Sequence, residues 1–302
     1  MLKLFRYIVP LLLLSFIAQA QPPIKDGAIL AEFSVSDSTK VYFSQGNLQY
    51  QASTNTWRFA EHQFDIVGFD NKNISEKYIG WIDLFAWGTS GYNGKNPYMT
   101  SKESTDYGDG ENDIAGTNYD WGVYNKISNG GNQAGMWRTL TKDEWDYVIS
   151  NRTDARYLRG TATINGIEGL ILLPDNWILP KGCIFTYGED MPNDGLPYGE
   201  IGGWTKNTYS ASKWKKMEAN GAVFLPAAGR YDNGSKEVGA LCFIGYYWSS
   251  SGYDFANAYY WTFGDGHVGL QPEGIHSEQS PLLNTRYRSY GLSVRLVQNV
   301  KK

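Results

Sequence analysis

The chain alternates apolar and polar residues between positions 31 and 50. A repeat of two residues is typical of a strand with one buried face. Turn-forming residues at 37–38 and 45–47 interrupt the alternation, so we predict several short strands in this part of the chain. Their apolar side carries Phe33, Val35, Val41, Phe43, Leu48 and Tyr50. Further strands are predicted at 56–60, 64–67, 162–164, 169–174 and 222–226.

Two short segments have a helical repeat. Thr141 is followed three residues later by Glu144, which is the spacing of a capping box, and Trp145 and Ile149 then share one helix face. An Asn-Gly pair provides a stop signal after the second segment. The predicted helices cover 142–150 and 210–218. The fold class is therefore α+β, with two short helices and many short antiparallel strands.

The region 81–137 has no clear repeat, but it places ten Trp, Tyr and Phe residues among Gly, Asn, Asp and Ser. It is too aromatic for a disordered segment and too rich in turn residues for regular structure. We therefore predict long ordered loops whose rings reach the core.

Residues 1–20 resemble a signal peptide. Lys3 and Arg6 precede an apolar run over 7–17, and Ala18-Gln19-Ala20 has the small residues of a cleavage site. The run is shorter than the roughly 20 residues that span a bilayer. We expect cleavage, a short lead at 21–30, one domain at 31–300 and no membrane span in the mature chain. The expected location is the periplasm, the cell surface or the medium.

Composition and charge narrow the class of partner. Aromatic residues make up 15% of the chain, with 11 Trp and 22 Tyr, which favours a rigid core or a contact surface. The net charge is −4 and the basic residues are scattered, so nucleic-acid binding has no electrostatic basis.

In the segment 245–297, the two ends are predicted to be scaffold strands, and the middle, about 252–288, is the predicted recognition surface. The stretch 247–267 is rich in Tyr, Ser, Asn, Asp and Gly, as recognition loops are. Its partial alternation requires some rings to face the core. The core residues are predicted to be Trp248, Ala258, Trp261 and Phe263. The ligand-binding residues are predicted to be Tyr253, Asp254, Asn257, Tyr259, Tyr260, Asp265 and His267. The alternative is that all of these are ordinary strand and loop residues.

Calcium is the metal that the sequence favours most. Four acidic residues lie close together on a glycine-containing stretch, and Ca²⁺ prefers hard oxygen ligands on a tight loop. The candidate ligands are Asp106, Asp109, Glu111 and Asp113. The alternative is a solvated acidic turn. The three histidines have no ligand spacing, and no catalytic constellation accompanies them.

Cys183 and Cys242 are the only cysteines, and both have apolar neighbours. They can form one disulfide in an oxidising compartment or serve as two small buried apolar residues. The spacing does not distinguish the two.

Blocks along the chain resemble a family of exported Bacteroidetes and Fibrobacter proteins, the Fibrobacter succinogenes major paralogous domain. The resemblance lies in Trp137-Arg138-Thr139-Leu140-Thr141 with Glu144-Trp145, in the block 221–230, in Tyr247-Trp248-Ser249-Ser250-Ser251, and in Gly291-Leu292-Ser293-Val294-Arg295-Leu296-Val297. The segment 41–50 also resembles the amino-terminal part of such proteins.

The resemblance implies a C-type-lectin-like fold, similar to formylglycine-generating enzymes and to the variable proteins of diversity-generating retroelements. In such folds the first and last strands pair, here 31–50 with 291–297, and elaborate loops form the binding face. The enzymes of this group use a closely spaced cysteine pair, whereas the cysteines here are 59 positions apart.

The sequence therefore predicts an exported or surface-associated binding protein and not an enzyme. An aromatic and polar loop face near the carboxyl terminus is expected to bind a glycan or a surface protein. The alternatives are a structural subunit of a cell-surface assembly and a formylglycine-generating-enzyme-like oxidase.

Overall fold

A computed structural model of the chain describes residues 24–188, 207–264, 267–268 and 284–301. Within these residues the amino-terminal half contributes the strands β1 (Ile24–Lys25), β2 (Ala28–Ile29), β3 (Phe33–Ser34), β4 (Lys40–Phe43), β5 (Leu48–Gln51), β6 (Thr56–Phe59) and β7 (Arg138–Thr139). The middle contributes β8 (Arg159–Ile164), β9 (Ile167–Leu172), β10 (Thr208–Tyr209), β11 (Val223–Pro226), β12 (Arg230–Asp232) and β13 (Glu237–Gly239). The last strands are β14 (Ile244–Gly252), β15 (Asn257–Gly264), β16 (His267–Val268), β17 (Asn284–Tyr287) and β18 (Leu296–Asn299).

The helices of the described residues are short. They are α1 (Trp121–Tyr124), α2 (Lys142–Asp146), which a π-helical turn (Tyr147–Asn151) continues, and α3 (Ala211–Glu218). Turns of 3-10 helix lie at Ala52–Thr54, Gly68–Asn73, Tyr92–Gly94, Ser104–Asp106 and Ala155–Tyr157. Mostly short strands with a few short helices confirm the mixed α+β class.

The helix predictions are confirmed. Thr141 Oγ1 accepts a hydrogen bond from Glu144 N at 3.2 Å, and the Glu144 carboxylate accepts one from Thr141 N at 2.9 Å. This reciprocal pair satisfies two amides at the start of α2. At the start of α3, the hydroxyl of Ser210 accepts a hydrogen bond from Lys213 N.

The strand prediction at 64–67 is wrong. The Val67 amide donates to the carboxylate of Asp83 at 2.9 Å and not to a neighbouring strand. The Asp83 side chain thus takes the place of the neighbouring strand that would accept this hydrogen bond. The alternation of apolar and polar residues does not reveal such a replacement. The predicted lead also contains structure, since β1 pairs with β2, and Ala28 and Ile29 are buried. The ordered fold therefore begins before residue 31.

The pairing of the first and last parts of the chain is confirmed. The four-stranded sheet has the order β3-β4-β18-β7, and Val297 lies opposite Phe43 on one side and Arg138 on the other. Leu296 and Val297 are fully buried. The last strand is therefore a central strand of this sheet.

Two further four-stranded sheets contribute side chains to the same buried cluster as this one. The sheet β10-β8-β9-β11 packs its apolar side chains with α3, through Trp214 and Met217. In the other sheet, β15 lies between β14 on one side and β16 and β17 on the other. The long hairpin β14–β15 carries the predicted recognition segment, and its register shifts between Trp248 and Gly252.

The predicted core residues of this hairpin are confirmed, since Trp248, Ala258, Trp261 and Phe263 are all buried. Trp261 stacks on Trp145 of α2 with ring centroids 5.8 Å apart. The loops at 81–137 are ordered as predicted, and most of their large rings reach the interior, although Tyr92 and Tyr124 are exposed. The fully buried rings are those of Phe85, Trp87, Tyr107, Trp121 and Trp137.

Candidate functional site

The turn that joins β14 to β15 presents two exposed rings. Tyr253 and Phe255 are 58% and 57% exposed. Between them, the Asp254 carboxylate accepts hydrogen bonds from the amides of Ala256 at 2.8 Å and Asn257 at 2.6 Å. The Asn257 side-chain amide donates to the same carboxylate at 3.0 Å. Asp254 and Asn257, both predicted as ligand-binding residues, therefore order the turn internally.

The charge of Asp254 follows from these contacts. Partial burial raises the pKa of this carboxyl, but the hydrogen bonds from Ala256 and Asn257 and the positive charge of Arg288 outweigh it. The pKa of Asp254 is therefore below its usual range, and the turn contains a stable carboxylate at neutral pH.

The outer face of β15 continues the exposed aromatic surface. Asn257 lies opposite Tyr287 of β17, and paired residues of antiparallel strands project to the same side. Tyr259, two residues after Asn257, projects to that side as well. Tyr287 is 57% exposed, and the ring of Tyr259 is in edge contact with that of Tyr253 at 5.4 Å between centroids. We call the rings of Tyr253, Phe255, Tyr259 and Tyr287 the aromatic face.

Lys142 borders the aromatic face. Its ammonium nitrogen lies 5.4 Å from the centroid of the Tyr259 ring, within the range of a cation–π contact. Lys142 also pairs with Asp143 at 2.8 Å. The start of α2 therefore supplies a positive charge beside the rings.

The prediction that Tyr260 is exposed is wrong, because its side chain is only 4% exposed. It packs with the rings of Tyr246 and Trp248, with centroids 5.8 and 6.2 Å away. Tyr260 shares the inward face of β15 with Ala258, since two residues separate them. Of the other predicted residues, Asp265 lies outside the described residues, and His267 lies in β16 with its backbone opposite Gly264.

The loop 109–113, which we call the acidic loop, lies against the turn of the aromatic face. The Gly252 amide donates to the Asp113 carboxylate at 2.8 Å. A Cβ placed on Gly110 would lie 3.9 Å from the Phe255 ring. A Cβ on Gly252 would lie only 3.2 Å from the Asn112 carbonyl oxygen, so the close approach of the two segments favours glycine there. Asp109 and Glu111 are exposed beside the rings.

Arg288 connects the acidic loop to the turn. Its side chain is fully buried, and its guanidinium carbon lies 4.3 Å from the Trp87 ring centroid. The guanidinium donates to carbonyl oxygens on both sides. The acceptors are Tyr107 O (3.3 Å) and Gly110 O from the acidic-loop side, and Asp254 O and Asn257 O (3.2 Å) from the turn.

Burial lowers the pKa of Arg288 to about 10, and the charges of Asp254, Asp109 and Glu111 act against this lowering. The guanidinium stays protonated at neutral pH. It therefore holds a positive charge under a surface that carries several carboxylates.

The four predicted calcium ligands are not gathered into one group of metal-ligating side chains. Asp113 is engaged by Gly252, and the Asp106 carboxylate accepts from the hydroxyl of Ser101. Among the residues that the structure describes, no group of three or more His, Cys, Asp and Glu side chains is placed to hold a metal ion. Asp106, Asp109, Glu111 and Asp113 are all exposed, which fits the alternative of a solvated acidic turn.

The thiols do not form a reactive pair. Both cysteines are free, Cys183 is buried among apolar side chains, and Cys242 is half-buried. Burial raises the pKa of the Cys242 thiol, and the negative charge of Glu168 raises it further. A raised pKa disfavours the thiolate, which is the reactive form. This arrangement offers no support for the oxidase alternative.

Four residues of the site escaped the sequence prediction: Lys142, Phe255, Tyr287 and Arg288. An apolar ring in a polar turn was a usable signal for Phe255. The alternation Arg286-Tyr287-Arg288 was a signal that the tyrosine faces away from the two arginines. The contact between Arg288 and the acidic loop has no local signal, because the partners are far apart in sequence.

No helix in the part of the chain that the structure describes is long and apolar enough to cross a bilayer. Comparison of the chain with protein-family models, with curated proteins and with solved structures gives no match.

Proposed function

We propose that the chain is an exported or surface-associated binding protein whose aromatic face takes a glycan or a surface-protein ligand. The observation that carries the proposal is the exposure of three rings, those of Tyr253, Phe255 and Tyr287, beside the half-buried Tyr259. The backbone of the turn between β14 and β15 is held by Asp254 and Arg288. Rings that are already ordered lose little conformational freedom when they contact a ligand.

A glycan is the ligand that this chemistry favours. Aromatic rings stack against the C–H faces of sugars, and carboxylates accept hydrogen bonds from sugar hydroxyls. The aromatic face lies beside Asp109 and Glu111, which are both exposed. A protein ligand would use the same rings as anchors and would require a complementary apolar surface.

The proposal includes the C-type-lectin-like fold and the family resemblance. The pairing of Val297 with Phe43 supports it, as does a long loop region that lies against the carboxyl-terminal hairpin. The signal-like segment 1–20 supports export.

The test is ligand capture by the mature chain on a broad glycan array and against envelope proteins. The double variant Tyr253→Ala/Tyr287→Ala should weaken binding by about thirtyfold or more, since it removes two central rings. Its melting temperature should stay close to that of the wild type, because both side chains are exposed.

Phe69→Ala is the matched control, because Phe69 is 59% exposed and lies on a different segment. It should leave binding unchanged. Capture that persists in the double variant would remove the aromatic face as the site. If neither screen finds a partner and the purified chain assembles with itself, the structural-subunit alternative replaces the proposal.

A further inference from the structure

A cleft of about 410 Å³ lies between the end of β5, the 3-10 turn that follows it, and the loops near residues 76 and 98. Small-molecule sites in proteins typically occupy roughly 300–1,000 Å³. The side chains that bear on its chemistry are Tyr50, Asn55, Glu76, Lys77, Asn96 and Tyr98. None of them belongs to the aromatic face, so the inference does not rest on the function proposed above.

The frame of the cleft is ordered. Tyr50 exchanges two backbone hydrogen bonds with Ile82, each 2.9 Å long, and the Ser53 amide donates to Tyr78 O at 3.0 Å. The Tyr50 hydroxyl donates to Asn55 Oδ1 at 3.1 Å. Burial raises the pKa of Tyr50 to about 12, so this hydroxyl stays protonated and keeps Asn55 in place. The Asn55 amide oxygen is thereby occupied, and its NH₂ group is available to the cleft.

Several polar side chains on the walls have no hydrogen-bond or ion-pair partner among the residues that the structure describes. Glu76 and Lys77 are exposed and form no ion pair with any residue that the structure describes. Asn96 and Tyr98 are half-buried, and their side chains make no hydrogen bond within the described ranges. The cleft therefore offers donors and acceptors together.

We propose that this cleft binds a neutral saccharide unit. A sugar hydroxyl both donates and accepts, which matches walls that contain a carboxylate, an ammonium and two amides. The carboxylate of Glu76 would repel a purely anionic ligand, and the ammonium group of Lys77 would repel a purely cationic ligand. A zwitterionic amino acid would satisfy these two charges but leave Asn55 and Asn96 without partners, whereas hydroxyls around a pyranose ring engage all four groups. Tyr98 adds a ring for stacking.

The test combines calorimetric titration with hydrogen-exchange mapping of the full mature chain. The probes are glucose, galactose, mannose, N-acetylglucosamine and their β-linked dimers, with glycine and glutamate as zwitterionic comparators. We expect saturable binding of at least one neutral sugar, with slower amide exchange at 52–55, 76–77 and 96–98. Glu76→Gln and Asn96→Ala should each weaken this binding by about tenfold, because the first replaces a charged acceptor oxygen with an NH₂ donor and the second removes an amide group.

Glu237→Gln is the matched control, since Glu237 is also exposed and lies in β13. It should leave the affinity unchanged. The proposal is overturned if no neutral sugar protects the cleft segments, if Glu76→Gln and Asn96→Ala bind as the wild type does, or if only the amino acids bind there. Protection confined to 252–259 would also overturn it, while supporting the aromatic face.

Discussion

Asp120 is a fully buried carboxylate that joins two elements. It accepts hydrogen bonds from Gly122 N at 3.2 Å in α1, and from the amide and hydroxyl of Thr139 in β7, both at 2.9 Å. Burial nevertheless raises the pKa of Asp120 to about 6, because these hydrogen bonds do not fully replace water. The same cause raises the pKa of Asp83 to about 6.

These two carboxyls make stability depend on pH. In the unfolded chain an aspartate has a pKa near 3.8, so between about pH 4 and about pH 6 the folded protein holds protons that the unfolded chain releases. Their contribution to the free energy of unfolding therefore falls as the pH rises through this window. In the folded protein the pKa of Asp254 is lowered, so this residue has the opposite effect on stability. Its contribution to the free energy of unfolding is present above the usual aspartate pKa and is lost as the pH falls through the lowered value.

Asp120→Asn should flatten the pH profile. The amide cannot titrate, so the decline between about pH 4 and about pH 6 should shrink by on the order of 2 kcal/mol, with Asp83 still contributing. The variant should also lose about 1–3 kcal/mol at neutral pH, because its NH₂ group faces amide donors. Urea unfolding at several pH values measures both effects. An unchanged slope would mean that Asp120 is ionised throughout this range in the folded protein.

At the scale of elements, the turn 252–257 and the acidic loop behave as one unit, because Arg288 donates to carbonyl oxygens of both. Between the strand ends at Gly252 and Asn257, the turn is ordered by the Asp254 carboxylate, and Asp113 ties the acidic loop to Gly252. The planar guanidinium of Arg288 adds hydrogen bonds to both segments at once.

Arg288→Lys should loosen both segments. A lysine retains the charge but cannot reach four acceptors, so the free energy of unfolding should fall by about 2–3 kcal/mol. Hydrogen exchange should accelerate at 108–113 and at 252–257 together, and ligand capture should weaken. Arg156→Lys, at an exposed arginine, is the control. Acceleration of only one segment would contradict the coupling.

Local patterns predicted the elements well and the site only in part. The capping box at Thr141 and Glu144 was predictable because all its partners lie within one turn of chain. Exposed Tyr253 was predictable from its polar turn. Tyr260 faces inward because two residues separate it from the buried Ala258, but the polar and aromatic composition around it resembles that of an exposed surface. The contact of Asp113 with Gly252 spans 139 positions, and no local pattern encodes it.

At the scale of the whole molecule, Arg295 connects the carboxyl-terminal part of the chain to the amino-terminal part and to the middle. It is fully buried and donates to Gln63 Oε1 at 2.7 Å, to Asn47 Oδ1 at 3.4 Å and to Phe224 O at 3.3 Å. Burial lowers its pKa to about 10, so it remains charged at neutral pH. The next residues form β18, the strand between β4 and β7.

A chain that ends after Arg295 should lose cooperative folding. Leu296 and Val297 are fully buried, each contributes about 1.5–3 kcal/mol through burial, and β4 and β7 lose their shared partner. That loss is comparable with the whole stability of a typical domain, about 5–15 kcal/mol. Near-ultraviolet circular dichroism of the buried tryptophans during urea unfolding measures it. Removal of Lys301 and Lys302 alone is the control, and a cooperative transition in the longer truncation would contradict the central role of β18.

Within the described residues, the Arg288 guanidinium donates to main-chain oxygens, at Tyr107, Gly110, Asp254 and Asn257. Main-chain oxygens are present whatever side chain a position carries. The exposed positions 109, 111, 253 and 255 can therefore exchange their side chains without removing any of these hydrogen bonds. A lineage could change what the surface recognises while it inherits the same support, so specificity and stability can evolve separately in this molecule.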